Sequence, residues 1–233
     1  MDGDARKGGE QGNAYKSLEL PVYLDGVIQD KERTATAHVP EPNAVISPSF
    51  LAHIVLVSTR LPEMKRWYRD VLGAQFMFES EKMVFLTFNE DHHQVAIFQH
   101  DGIAPDKGID PEICGLHHVA FTYGSLGDLV RTYKRLKGLG ILPMRSINHG
   151  TTLSNYYLDP DNNRIELQCD TFPSREALNA YLASRAFNRN PIGVLLNFDE
   201  VVERFDRGDD PRQICDPSGV HHGKEDEHGR PAL

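Results

Sequence analysis

Three residues of this chain have the types and placement to hold a metal ion together: His53, His118 and Glu166. Glu166 lies in Arg164-Ile165-Glu166-Leu167-Gln168, where polar and apolar residues alternate. That alternation predicts a strand with Ile165 and Leu167 on one face and Arg164, Glu166 and Gln168 on the other. A carboxylate on a rigid strand suits a metal ligand, because ligand geometry must be held tightly. His53 and His118 each interrupt an otherwise apolar strand, in LAHIVLV and LHHVAF. Taken singly, each residue has a plainer reading, the Glu on an exposed strand face and each His satisfied within a core. Two imidazoles in matching positions plus one carboxylate form the set that, with coordination positions left open, serves non-haem Fe(II) oxygenases.

The elements that must position these residues form a repeat. The first unit opens with an apolar strand over Phe50–Ser58. A helix follows over Thr59–Gly73, with Met64, Trp67, Tyr68, Val71 and Leu72 in one apolar stripe, Pro62 near its start and Gly73 at its end. Three short strands follow: Gln75–Glu79, Met83–Phe88 and Gln94–Phe98. The second unit repeats the order. It has a strand over Leu116–Thr122, a helix capped by Ser125 that runs to Leu139, and strands over Ile141–Ser146, Ser154–Leu158 and Arg164–Gln168. The last two are joined by Asp159-Pro160-Asp161-Asn162-Asn163, in which Pro presets φ and Asn tolerates the left-handed region. Aligning His53 with His118 sets an offset of 65, at which Leu61 meets Leu126 and Gly73 meets Gly138. The expected fold is α+β, with paired βαβββ modules forming a curved, nearly closed mixed sheet around a metal site and the helices outside.

The rest of the chain is less patterned. Residues 1–49 read as a partly disordered N-terminal arm, with one hairpin signal at Asp25-Gly26 and prolines near its end. The two modules, 50–104 and 112–170, make one domain around the Pro105–Pro111 linker. Helices fill 171–208, the first capped by Ser174 and another starting at Phe198 or Asp199, with Asn190-Pro191-Ile192-Gly193 breaking the two. Residues 209–233 read as a polar tail whose His221, His222 and His228 lack the fixed backbone a metal site needs.

Composition narrows the function classes. In 233 residues the formal net charge is −9, which disfavours a nucleic-acid binder. Cys114, Cys169 and Cys215 are far apart, the pattern of a reducing compartment. No segment approaches the roughly 18 apolar residues of a membrane span, and Met1–Asn13 carries no apolar core of a signal peptide. A cytoplasmic protein is expected. The arm and the C-terminal helices have little apolar content, so at least one is expected to cover a neighbouring subunit in a homo-oligomer.

The paired modules, His53 in LAHIVLV, His118 in LHHVAF and YYLDPDNNRIEL ending before Gln168 resemble the vicinal oxygen chelate superfamily over residues 50–170. The resemblance implies His53, His118 and Glu166 as metal ligands; His117 competes with His118, and the repeat register favours His118. Glyoxalase-like members carry an acidic residue late in both modules, whereas laying QVAIF on RIELQ puts Ala96 opposite Glu166. Three ligands instead of four point to the extradiol ring-cleaving dioxygenases, with Fe(II) as cofactor and Mn(II) admitted by the same donors. The partners implied are a small aromatic diol and dioxygen. The resemblance further implies His93 as the histidine beside the dioxygen site, with His92 competing, Tyr156 as the active-site tyrosine, and His149 as the nearest candidate for a second active-site histidine. The rival readings are another metal-dependent enzyme of the superfamily, an isomerase or epimerase, and a non-catalytic small-molecule binder.

Overall fold

The computed structural model describes residues 47–103 and 114–216. Residues 1–46 of the expected arm, the 104–113 linker region and residues 217–233 of the tail, with His221, His222 and His228, lie outside the described residues.

The first module comprises β1 (Ile54–Ser58), α1 (Leu61–Leu72), β2 (Gln75–Glu79), β3 (Met83–Thr87) and β4 (Val95–Gln99). The second comprises β5 (Val119–Tyr123), α2 (Leu126–Gly138), β6 (Arg145–Asn148), β7 (Thr152–Leu158) and β8 (Arg164–Asp170). After it come α3 (Arg175–Leu182), α4 (Arg185–Arg189), β9 (Val194–Leu195), α5 (Phe198–Asp206) and α6 (Pro211–Cys215).

The strands form two mixed sheets, ordered β1-β4-β3-β2 and β5-β8-β7-β6-β9. In each, the module's first strand runs parallel to its last and the remaining pairs are antiparallel. The α+β architecture thus takes the expected form, with the helices outside. The sheets are not closed into a barrel: β1 and β5 are both edge strands. The ladders also put the repeat in register. Val55 pairs with Ala96 and Ala120 pairs with Glu166. His53 and His118 each stand two residues before those pairs, so they are equivalent in backbone frame, as are Ala96 and Glu166.

Strand alternation sorts each sheet into two faces. Val84, Leu86, Val95 and Ile97 of the first sheet, and Leu153, Tyr157, Ile165, Leu167 and Cys169 of the second, enter one core with Met64, Tyr68 and Val71 of α1 and Leu129, Val130 and Leu136 of α2. The two helices also meet directly. Arg135 of α2 donates to the carbonyls of Asp70 and Val71 at the end of α1, satisfying acceptors that the terminating helix leaves open. The opposite sheet faces are left for other work. Val55 and Val57 are half exposed there in the first module, while Arg164, Glu166 and Gln168 line that side of the second.

The β7–β8 turn joins the modules. Asp159 is 3% exposed. Its carboxylate accepts from the backbone of Asp161 and Asn163, from Asn163 Nδ2 at 2.8 Å and from the Tyr68 hydroxyl of α1 at 3.0 Å. Asn162 takes the left-handed conformation at φ 68°, as the turn sequence suggested. Burial raises the Asp159 pKa, while its four donors act in the opposite direction. Asp159→Ala would strand those donors, one of them in the core. We expect a loss of about 3 kcal/mol, on the order of 10 °C in Tm for a chain of this size, with Asp159→Asn losing less. Thermal unfolding of Asp159→Ala at the wild-type temperature would contradict this role.

The region after β8 departs from its sequence reading. Ser174 caps α3 as expected, and α5 starts at Phe198. Between them lie a short α4 and a two-residue strand, β9, that pairs with β6. The expected tail from 209 begins with α6, whose Ile214 and Cys215 are buried in the shared core. α5 packs Phe198 against Tyr133 of α2, and Tyr133 donates to Asp199 at 2.9 Å. Both α5 and α6 therefore bury their apolar residues against their own chain. Among the described residues no helix is long and apolar enough to cross a membrane.

Candidate metal centre

The polar face of the second sheet carries the chemistry. Arg145, Tyr156, Glu166 and Ala120 oppose one another across β6, β7, β8 and β5. Cross-strand partners share a face, so the first three side chains form one row. Ala120 leaves room at the end of it, and His118, two residues earlier on the same side, reaches back over the gap. Its Nε2 lies 2.9 Å from Glu166 Oε2. Glu166 is 4% exposed, an uncommon burial for a carboxylate and one that requires a partner.

His118, and not His117, meets Glu166. The two Nδ1 atoms are 2.6 Å apart, so one of them carries the shared proton. His117 turns the other way and accepts from the Arg164 guanidinium. Burial first and Arg164 next lower the His117 pKa.

His149 and Tyr156 complete the cluster. β6 ends at Asn148, and the loop that follows swings His149 across the Glu166 row. Its Nε2 lies 2.9 Å from the Tyr156 hydroxyl and 3.9 Å from Glu166 Oε1. Its Nδ1 faces the Ile192 carbonyl. Burial lowers the His149 pKa, outweighing the Ile192 hydrogen bond. Burial, then the Glu166 charge, raises that of Tyr156, so its hydroxyl keeps its proton. The Arg145 guanidinium carbon sits 4.9 Å over the Tyr156 ring.

His53 and His93 occupy the other sheet. Ile54 pairs with Val95 and its N–H donates to the Gln94 carbonyl at 2.9 Å, so residue 53 falls opposite residue 94, next in the chain to His93. Their rings stack at 4.6 Å between centroids, and His93 stacks in turn on Phe85 at 4.5 Å. His92 Nδ1 lies 2.6 Å from His93 Nδ1. Burial, then His92, lowers the His93 pKa. His118 and Glu166 meet, His53 is held by His93, and among the described residues no group of three His, Cys, Asp or Glu side chains is arranged to hold a metal ion. β1 and β5 lie at the edges of separate sheets, so no ladder sets the spacing between His53 and His118.

Two features of the centre escaped the sequence. Arg145 opposes Tyr156 through the β6–β7 register, which the sequence does not reveal. The Ile192 carbonyl is a backbone atom with no side-chain signature. Arg164 was placed on the correct face, though not in contact with His117.

This fold and this polar cluster define a class. A family model described as the Glyoxalase/Bleomycin resistance protein/Dioxygenase superfamily matches residues 50–167, and the chain belongs to that superfamily. Two similar proteins of Rhodococcus globerulus carry more specific names. The chain is 42% identical over 159 residues to biphenyl-2,3-diol 1,2-dioxygenase 3, a match covering 68% of this chain and 83% of that one. It is 40% identical over 156 residues to biphenyl-2,3-diol 1,2-dioxygenase 2, covering 67% and 80%. Among solved structures, a glyoxalase/dioxygenase from Nostoc punctiforme aligns with TM-score 0.46 and 20% identity, over 56% of this chain and 99% of that one.

Proposed function

We propose that this protein is an extradiol dioxygenase that opens an aromatic ring beside a vicinal diol. The observation that carries the reading is the buried Glu166 facing His118 at 2.9 Å with His149 and Tyr156 alongside, in a chain more than two-fifths identical to a named diol dioxygenase. The superfamily and those relatives imply a metal cofactor. Glu166 and His118 fit one, since a carboxylate oxygen and an imidazole nitrogen already face each other on a rigid strand pair. His53, their counterpart in the first module, would supply the third ligand. That donor set suits Fe(II), with Mn(II) admitted by the same atoms. When bound, such an ion gives the diol oxygens and dioxygen a common site and makes the diol more acidic.

The chain's own residues would handle protons and position. His149, kept neutral by burial, can take a proton at Nε2 through the Tyr156 hydroxyl. Arg145 over the Tyr156 ring favours negative charge as the diol loses its protons. His93, beside His53, would serve the dioxygen side. The half-exposed Val55 and Val57, with Phe85 and the exposed Phe78, offer an apolar surface for the ring. Ala96 at the position equivalent to Glu166 argues against a fourth ligand and so against a glyoxalase-like isomerase. From the names of its relatives, a biaryl diol such as biphenyl-2,3-diol is the first substrate to try, and a homo-oligomer the assembly to look for by light scattering.

The test is anaerobic loading with Fe(II) or Mn(II), followed by oxygen uptake on a panel of ortho-diols. Uptake that needs both metal and diol supports the reading. Stoichiometric metal binding with no uptake on any diol would overturn it.

A further inference from the structure

The turn Asn190-Pro191-Ile192-Gly193 lies beyond the 50–167 span of the superfamily match, yet it touches the centre. We propose that this turn is the positioning device for His149. The Ile192 carbonyl accepts the Nδ1 proton and so holds the ring with a bare Nε2 toward Tyr156. What His149 then does rests on the dioxygenase reading; how it is held does not.

A carbonyl oxygen only accepts, so the contact requires the proton on His149 Nδ1. In a neutral ring that leaves Nε2 as an acceptor, 2.9 Å from the Tyr156 hydroxyl, whose single proton His149 then shares with the Glu166 carboxylate that the same hydroxyl also meets. Among the described residues the Ile192 carbonyl is the acceptor that meets Nδ1 and selects this tautomer.

The turn is built to reach that point. Gly193 has φ 97°, which L side chains rarely adopt. A Cβ there would lie 2.2 Å from the Asn148 carbonyl oxygen and 2.6 Å from His149 Cα. Both are backbone atoms that cannot swing aside, so only glycine lets the turn lie against the chain at His149. Asn190 closes the turn from within: its Oδ1 accepts from the Gly193 N–H at 3.0 Å and its Nδ2 donates to the Gly193 carbonyl at 2.7 Å. β9 then pins the register, with Val194 opposite Asn148 and Leu195 opposite Ile147.

The test is nitrogen NMR of metal-free protein labelled with 15N-histidine, at pH 8, with the His149 signals identified by their loss in His149→Gln. Wild type should show a protonated Nδ1 and a bare Nε2. Gly193→Ala should move His149 to the Nε2–H form or to an exchange average. In the metal-loaded protein the same variant should lose about 10- to 100-fold in kcat, the range for removing a group that orients a working residue. Its KM for the diol and its metal content should stay within about twofold. Asn190→Ala should act in the same direction, and Asn190→Asp, which keeps the acceptor for Gly193 N–H, should recover part of the loss. If Gly193→Ala does not fold, Asn190→Ala carries the comparison. An Nε2–H tautomer in wild type, or an unchanged Nδ1–H signature in a folded turn variant, would overturn the proposal. The tautomer is measured without metal or substrate, so a wild type that consumed no oxygen would sink the dioxygenase reading and leave this result to stand by itself.

Discussion

Glu166→Ala is expected to remove bound metal and ring cleavage together while leaving the protein folded. Among the described residues Glu166 is the carboxylate on the row formed with Arg145 and Tyr156, and Ala96 holds the equivalent place in the first module. Removing a residue that merely orients a ligand costs about 10- to 100-fold in metal affinity, and loss of the ligand itself should exceed that range. Stability should change little, because the variant also removes the cost of holding a carboxylate out of water. The contrast with Asp159→Ala is informative. Both residues are buried acids, but Asp159 satisfies four donors within the fold, whereas Glu166 is aimed at His118. Metal titration and thermal melting of the two variants should therefore give opposite patterns. Stoichiometric metal and normal turnover in Glu166→Ala would remove the centre from this location.

His118→Ala should behave like Glu166→Ala, and His117→Ala should not. The two residues are adjacent, and their rings are close enough to share a proton. Their outer nitrogens face different partners, Glu166 for His118 and Arg164 for His117. We expect His118→Ala to lose more than about 100-fold in metal affinity and His117→Ala less than about 10-fold, since the latter removes at most a supporting contact. Isothermal titration of both variants decides the matter. The reverse order would mean that the strand presents the opposite face and that every side chain on β5 has been misassigned.

Much of this centre was legible because it lies on strands whose alternation is strict. Ile165 and Leu167 go to the core and Glu166 to the polar face, as the pattern required. The repeat was legible because its landmarks survive at one offset, and the ladders confirm that His53 and His118 are backbone equivalents. The start of β6 was not. Ile141 packs against the core and Pro143 has no N–H to give a ladder, so the first bond to β7 is from the Met144 N–H to the Tyr156 carbonyl at 2.8 Å. The β6–β7 register, which alternation does not give, hid the place of Arg145 over Tyr156. Nor could alternation give the spacing between two edge strands, so the relation of His53 to His118 rests on the repeat alone. α4, β9 and α6 are two to five residues long, too short for periodicity to reveal. The Ile192 carbonyl, which faces His149, belongs to that same region.

The most direct measurement of the central claim is the fate of labelled dioxygen. Fe(II)-loaded protein, prepared without air, is given an aromatic ortho-diol and 18O2, and the product is examined by mass spectrometry. The account predicts one ring-opened product, cleaved beside the diol, carrying two 18O atoms before exchange with water, and none from Glu166→Ala. Unchanged diol, a quinone without incorporated label, or cleavage between the two hydroxyls would contradict it.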